Sequence, residues 1–235
     1  MSIGNMVLIP GYMTDDRLWD KIAGPLEQQG AVLTLAQLDE GETMAEMAER
    51  IIESCPPRFV LLGFSMGGYI ARQILRRIPE RVSSLILVAT SSRADSETQQ
   101  RIKAAAAKAV TAKSYNGLGN QSLGYSLHPD RSHDPDLLQQ LKGMGQRLGY
   151  EVFVRQSRLD RDSDTQTLSQ ITCPTLIIAA QDDRMRSFEE AAELQEHIAG
   201  AMLRVIPDCG HMIPLEQPAA LCQEIIDWLA DRPQA

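Results

Sequence analysis

The chain has 235 residues, of which 43% are apolar and 23% charged, enough for one well-filled α/β domain with a modest insertion. Its net charge of −8 argues against nonspecific binding to nucleic acid or to an anionic membrane, and no apolar run reaches the ~18 residues of a membrane span. Met1-Ser-Ile-Gly-Asn5 has no basic region, so no secretory leader is expected. Cys55, Cys173, Cys209 and Cys222 form no CxxC pair and lie near no metal-type histidines, so free thiols in the cytoplasm are the expectation, with no structural metal.

Asn5–Ile9 reads as a buried strand ended by Pro10-Gly11, and Leu18, Ile22 and Leu26 mark a helix face before Gly30. Ala31–Leu35 is the next strand. A helix opened by Thr43 runs through Met44, Met47, Ala48 and Ile51 and is stopped by Pro56-Pro57. Phe59–Leu62 is the third strand, Ser84–Ala89 the fourth, Pro174–Ala180 the fifth and Met202–Ile206 the sixth. The last helix carries Ala220, Leu221, Ile225, Trp228 and Leu229. Continuous apolar strands separated by helices predict a doubly wound, mostly parallel six-stranded sheet covered on both faces.

The alternation stops between the fourth and fifth strands, where about 80 residues replace a simple crossover. Residues 91–171 carry helical patterns and no convincing strand, which predicts a helical cap over a core made of residues 1–90 and 172–235. Ser96 caps a helix through Ile102, Ala105 and Ala109, and Asp134-Pro135 opens one through Leu137, Leu138, Leu141, Met144 and Leu148, with apolar residues of the cap such as Leu138 and Phe153 expected to set substrate preference. A third pattern runs from Tyr150 to Leu159. The glycines of Gly117-Leu-Gly-Asn-Gln-Ser-Leu-Gly124 predict a mobile loop.

Gly63-Phe64-Ser65-Met66-Gly67 lies between the third strand and the helical pattern that begins at Gly68. A serine on so tight a strand-to-helix turn projects its hydroxyl beyond the sheet edge, and the flanking glycines are needed because side chains there would collide. Downstream, Gln181-Asp-Asp-Arg184 follows the fifth strand and Asp208-Cys-Gly-His211 follows the sixth. Serine is a weak nucleophile at neutral pH and needs a neighbouring base to take its proton.

Ser65, Asp183 and His211, in that order, resemble the catalytic triad of the α/β-hydrolase superfamily, and the resemblance covers nearly the whole chain. It implies Ser65 as nucleophile, His211 as base and then acid, and Asp183 as the group that orients the imidazole. The family spacing of a small residue, two variable positions and Asp starts at Ala180, which favours Asp183 over Asp182, a turn residue or helix cap. The resemblance also implies an oxyanion hole made by the backbone N–H groups of Met66 and Tyr12, although relatives commonly carry His-Gly where this chain has Pro10-Gly11. The Tyr12 ring either lines an acyl pocket or simply packs. Because relatives start with two further strands, the expected sheet is the compact six-stranded form with order 4-3-5-6-7-8 in the superfamily's numbering.

The implied activity is hydrolysis of a small ester, thioester or lactone, with no cofactor. The runner-up is a C–C bond hydrolase of ring-cleavage products, whose usual Asn is Phe64 here. A non-catalytic binding member of the fold is the remaining class. The other acidic and sulfur groups suggest no second site. Glu46 and Glu49 read as a solvated helix face, Cys209 as a packed thiol, and Asp160, Asp162 and Asp164 lack the Gly and terminal Glu of a calcium loop.

Overall fold

The computed structural model describes residues 2–231. Six strands, β1 (Gly4–Ile9), β2 (Ala31–Leu35), β3 (Phe59–Phe64), β4 (Val82–Val88), β5 (Thr175–Ala180) and β6 (Met202–Ile206), form one sheet. All pairs are parallel and the order is β2-β1-β3-β4-β5-β6, the predicted order in this chain's own numbering. The chain reverses its direction of travel across the sheet between β1 and β3, so the loops leaving these two strands diverge and open a crevice at their C-terminal ends.

The helices of the core are α1 (Asp20–Gln28), α2 (Met44–Ser54) and α3 (Met66–Arg77). The segment between β4 and β5 holds α4 (Glu97–Ala109), α5 (Asn120–Ser126) and α6 (Pro135–Arg158), and α7 (Phe188–His197), α8 (Ile213–Glu216) and α9 (Pro218–Asp231) follow β5 and β6. Because side chains alternate along a strand, the central strands feed two cores at once. Met6, Leu8, Leu62, Val88 and Ile178 pack with Ile22 of α1 and Ile225 of α9. On the opposite face, Val7, Ile9, Leu61, Leu87 and Ile177 pack with Met47 of α2, Ile70 of α3 and Leu194 of α7. Each such fully buried aliphatic side chain contributes about 1.5–3 kcal/mol of transfer free energy.

Between β4 and β5 the described chain is helical apart from loops, as expected, with two differences. Asn120–Ser126 is a helix, so the Gly117–Gly124 stretch is only partly a loop. Leu123 and Gly124 are buried, and Gly124 lies so close to the Ser132 carbonyl that a side chain would collide; packing outweighs the weak helix propensity of this stretch. The second concerns α4. Ser96 makes the expected cap, a reciprocal capping box with Gln99, but none of the helix is buried and Ile102 is 62% exposed. The long helix α6 is two helices joined at Gly149, whose φ of 82° breaks the spiral and separates the Asp134-capped pattern from the Tyr150–Leu159 one.

The two ends of this insertion are bound to one another and to α3. Asp95 N–H donates to the Arg161 carbonyl and Asp164 N–H to the Ser92 carbonyl. The wholly buried Arg72 of α3 donates to both carboxylate oxygens of Asp164, at 2.7 and 3.0 Å, and to the Ser91 carbonyl at 2.7 Å. Asp164 is therefore spent on an ion pair with the core. Among the described residues no helix is long and apolar enough to cross a membrane, and no group of three or more His, Cys, Asp or Glu side chains is arranged to hold a metal ion. All four cysteines are free.

Candidate active site

Ser65 stands between β3 and α3 with φ 52° and ψ −114°, a left-handed conformation that is disfavoured for any residue with a Cβ. Its neighbours hold it there. Ser65 N–H donates to the Val88 carbonyl at 2.9 Å, and the Ser65 carbonyl accepts from Thr90 Oγ1 at 2.7 Å and from Gly68 N–H at 3.0 Å. A methyl group on Gly63 would lie 2.5 Å from the Gly67 carbonyl oxygen, and one on Gly67 would strike the carbonyls of Ile9 and Pro10. Both glycines are thus fixed by close backbone approach, the first across the turn and the second against the loop after β1.

His211 follows β6 in a loop and is 3% exposed. Its Nε2 lies 2.9 Å from Ser65 Oγ and its Nδ1 2.7 Å from Asp183 Oδ2. A carboxylate accepts, so Asp183 places the ring proton on Nδ1 and leaves the Nε2 lone pair facing the serine hydroxyl. The ring packs against Phe64, with centroids 5.2 Å apart. Asp183 is itself fixed, because its other oxygen accepts the N–H groups of Met185 and Arg186 at 2.7 and 2.9 Å. Asp182 turns away, with Oδ2 3.5 Å from His128 Nε2. The order Ser65, Asp183, His211 in sequence therefore becomes one hydrogen-bonded chain in space, of which Asp182 is no part.

The loop after β1 runs alongside the serine. Gly11 lies against it so closely that a methyl there would be 3.2 Å from Ser65 Cβ and 3.0 Å from the Phe64 ring. Met66 is the first residue of α3, where the helix offers its N–H no acceptor. In the adjoining loop Gly11 N–H donates to Thr14 Oγ1 at 2.8 Å, and the Tyr12 hydroxyl meets Ser157 Oγ at 2.7 Å. Burial raises the Tyr12 pKa, an effect that its bond to Ser157 only partly offsets. The Tyr12 ring also joins a third apolar cluster, built around Met13, Val152 and Phe153 and including Tyr115 and Leu148. That cluster joins the loop after β1 to α6.

One buried acid was not anticipated. Glu216, at the end of α8, has a wholly buried side chain. It accepts from Gly210 N–H at 3.1 Å, His128 N–H at 2.8 Å and Arg131 Nε at 3.1 Å, and so fixes the backbone immediately before His211. Nothing in the sequence separates it from a solvated helix-end glutamate. Cys209, two residues before His211, is fully buried; burial, with Glu216 nearby, raises its pKa and makes it a poor nucleophile. His197 lies on the surface at the end of α7, its Nδ1 2.8 Å from the Glu193 carbonyl.

Comparison with known proteins points the same way as the fold. Over 222 residues, 88% of each chain, the sequence is 24% identical to a pimeloyl-[acyl-carrier protein] methyl ester esterase of Nitrosomonas europaea. It is 32% identical to the Klebsiella pneumoniae enzyme of the same name over 94 residues, a match that spans 37% of that protein. A solved thermophilic esterase from Thermogutta terrifontis superposes with a TM-score of 0.84 and 25% identity, covering 97% of this chain and 90% of the other. Residues 9–218 match the family of the alpha/beta hydrolase fold, and the chain belongs to that family.

Proposed function

We propose that this protein is a serine hydrolase that cleaves a small carboxylic ester, thioester or lactone through an acyl-enzyme. The observation that carries the reading is the buried chain from Ser65 Oγ through His211 to Asp183, with bonds of 2.9 and 2.7 Å. His211 Nε2 takes the hydroxyl proton as Ser65 Oγ adds to the carbonyl carbon, and Asp183 stabilises the imidazolium that results. The charge gathered on the carbonyl oxygen is met by the N–H groups of Met66 and Tyr12. His211 then protonates the leaving oxygen or sulfur, the alcohol or thiol departs (or, from a lactone, stays tethered as the hydroxyl of the opened acyl chain), and the acyl group stays on Ser65. Water, deprotonated by the same imidazole, attacks the acyl carbon, and the free acid leaves as the proton returns to Ser65. The esterase names of the two sequence relatives and of the solved neighbour support this bond class.

Residues 91–171 act as the cap in this reading, and the apolar cluster around Phe153 forms a wall of the acyl pocket. Phe153 is 4% exposed and stacks on Tyr115 with ring centroids 5.0 Å apart, in the same cluster as Tyr12 and Met13. Leu138 instead lines a surface cleft with Asn120, His133 and Lys142, a cleft that includes neither Ser65, His211 nor Asp183. A series of p-nitrophenyl esters from acetate to decanoate tests both the activity and the pocket. Turnover by the parent is expected to favour one chain length. Phe153→Ala is expected to move that optimum to longer acyl chains, with kcat/KM for them improved by about 10-fold, the value of one to two methylenes in an apolar pocket. An unchanged ranking in a folded Phe153→Ala protein places the acyl pocket elsewhere.

A further inference from the structure

The loop after β1 is held by side chains from the insertion. Met13 adopts φ 53°, a left-handed conformation that a residue with a Cβ keeps only when its surroundings enforce it. Gln156, near the end of α6, supplies that constraint. Its Oε1 accepts Met13 N–H at 2.8 Å, and its Nε2 donates at 2.8 Å to the Leu38 carbonyl in the loop after β2. Gln156 is 1% exposed, so a buried carboxamide uses both its ends on the backbones of two core loops.

The bonding pattern around Tyr12 gives this contact a consequence for chemistry. Gly11 N–H is taken by Thr14 Oγ1 and Met13 N–H by Gln156 Oε1. The N–H between them, that of Tyr12, meets no acceptor among the described residues. Ser157, the next residue of α6, holds the Tyr12 hydroxyl, so Tyr12 is fixed through its ring and through the peptide plane that follows it. An apolar residue would fill the Gln156 site without the desolvation that a buried amide costs, so packing alone does not account for a glutamine there.

We propose that Gln156 is a positioning residue for hydrolysis: by fixing the Tyr12–Met13 peptide plane it holds the Tyr12 Cα, and with Thr14 N–H on the Gly11 carbonyl it keeps the preceding Gly11–Tyr12 plane, which carries the Tyr12 N–H, facing the oxyanion formed on the substrate. The insertion thereby takes part in forming the oxyanion hole as well as in covering the site. Pro10-Gly11 stands where relatives commonly carry His-Gly, and the support for this loop comes here from Thr14 and from α6. The proposal rests on the Ser65 reading above.

Two variants test it with p-nitrophenyl butyrate, with active sites counted by end-point fluorophosphonate labelling and folding checked by circular dichroism. Gln156→Leu removes both bonds, and kcat per labelled site is expected to fall about 10- to 100-fold with KM within about threefold. Gln156→Glu gives a signature that a purely structural role would not. The protonated carboxyl has one acceptor and one donor in the same places as the amide, whereas the carboxylate sets its charge against the Leu38 carbonyl. Burial raises the pKa of a carboxyl group. The ratio of variant to parent kcat is therefore expected to be highest near about pH 5.5 and to fall about 10-fold or more by about pH 8.5. A ratio that stays flat, or a Gln156→Leu protein whose kcat per labelled site is within about twofold of the parent, overturns the proposal while leaving the Ser65 reading intact. If Gln156→Leu does not fold, the pH ratio of Gln156→Glu decides alone. A parent that is not labelled at Ser65 overturns both readings.

Discussion

Replacing Ser65 with alanine is expected to lower kcat for p-nitrophenyl butyrate by about 10⁶-fold, to the level left by binding and the oxyanion donors alone. The hydroxyl is the only group of the hydrogen-bonded chain positioned to add to a carbonyl, and removing it leaves His211 with no proton to accept. His211→Ala is expected to do nearly the same, because the hydroxyl then has no base within reach. The Ser65→Ala, His211→Ala double variant is expected to lose little more than either single one, since the two act as a unit. Additive losses would show that they act in separate steps.

The second large effect separates two adjacent aspartates. Asp183→Asn is expected to reduce kcat by about 10⁴-fold, whereas Asp182→Asn stays within about threefold of the parent. The amide at 183 still accepts the N–H groups of Met185 and Arg186 through its oxygen. Its NH₂ then faces His211 Nδ1 and makes that nitrogen an acceptor. The ring proton moves to Nε2, which presents an N–H to Ser65 Oγ where the base must offer a lone pair. Asp182 lies 3.5 Å from His128 Nε2 and touches neither His211 nor Ser65, so neutralising it leaves the tautomer alone. The reverse ranking would assign the orienting role to Asp182.

What the sequence revealed of this arrangement, and what it hid, follows from the range of the forces involved. Strands buried on both faces read as near-continuous apolar runs, so β1, β3, β4 and β5 stand out as runs whose ends are missed by only a residue or two. Helix starts are equally local: Thr43, Ser96 and Asp134 each accept backbone N–H groups of the turn they precede. The Ser65 turn is legible because both of its glycines fall within five residues, although only Gly63 is forced by the turn itself and Gly67 is forced by the Ile9 and Pro10 carbonyls of the loop after β1. In contrast, Asn120–Ser126 is helical through contacts with distant residues, and its glycines mask it.

Polar groups engaged over long distances leave no such trace. Gln156 lies within a helical pattern whose period marks the apolar face but says nothing of a polar residue that reaches a loop 143 positions earlier. Glu216 differs in no local respect from a surface glutamate, yet it bonds to backbone N–H groups on either side of the chain crossing at Gly210. Asp164, one of three alternating acids in a polar stretch, is placed by Arg72, 92 residues before it. In each case the partner that defines the role is distant in sequence, and only the fold brings it near.

The most direct measurement is the site of covalent reaction. Treating the purified protein with a fluorophosphonate, digesting it and mapping the adduct by mass spectrometry reports which oxygen is the nucleophile, whatever the natural substrate. One adduct per chain is expected, on the peptide that contains Ser65, and none on the Ser65→Ala protein. An adduct on another residue, labelling that persists in Ser65→Ala, or a folded parent that does not react at all would contradict the account.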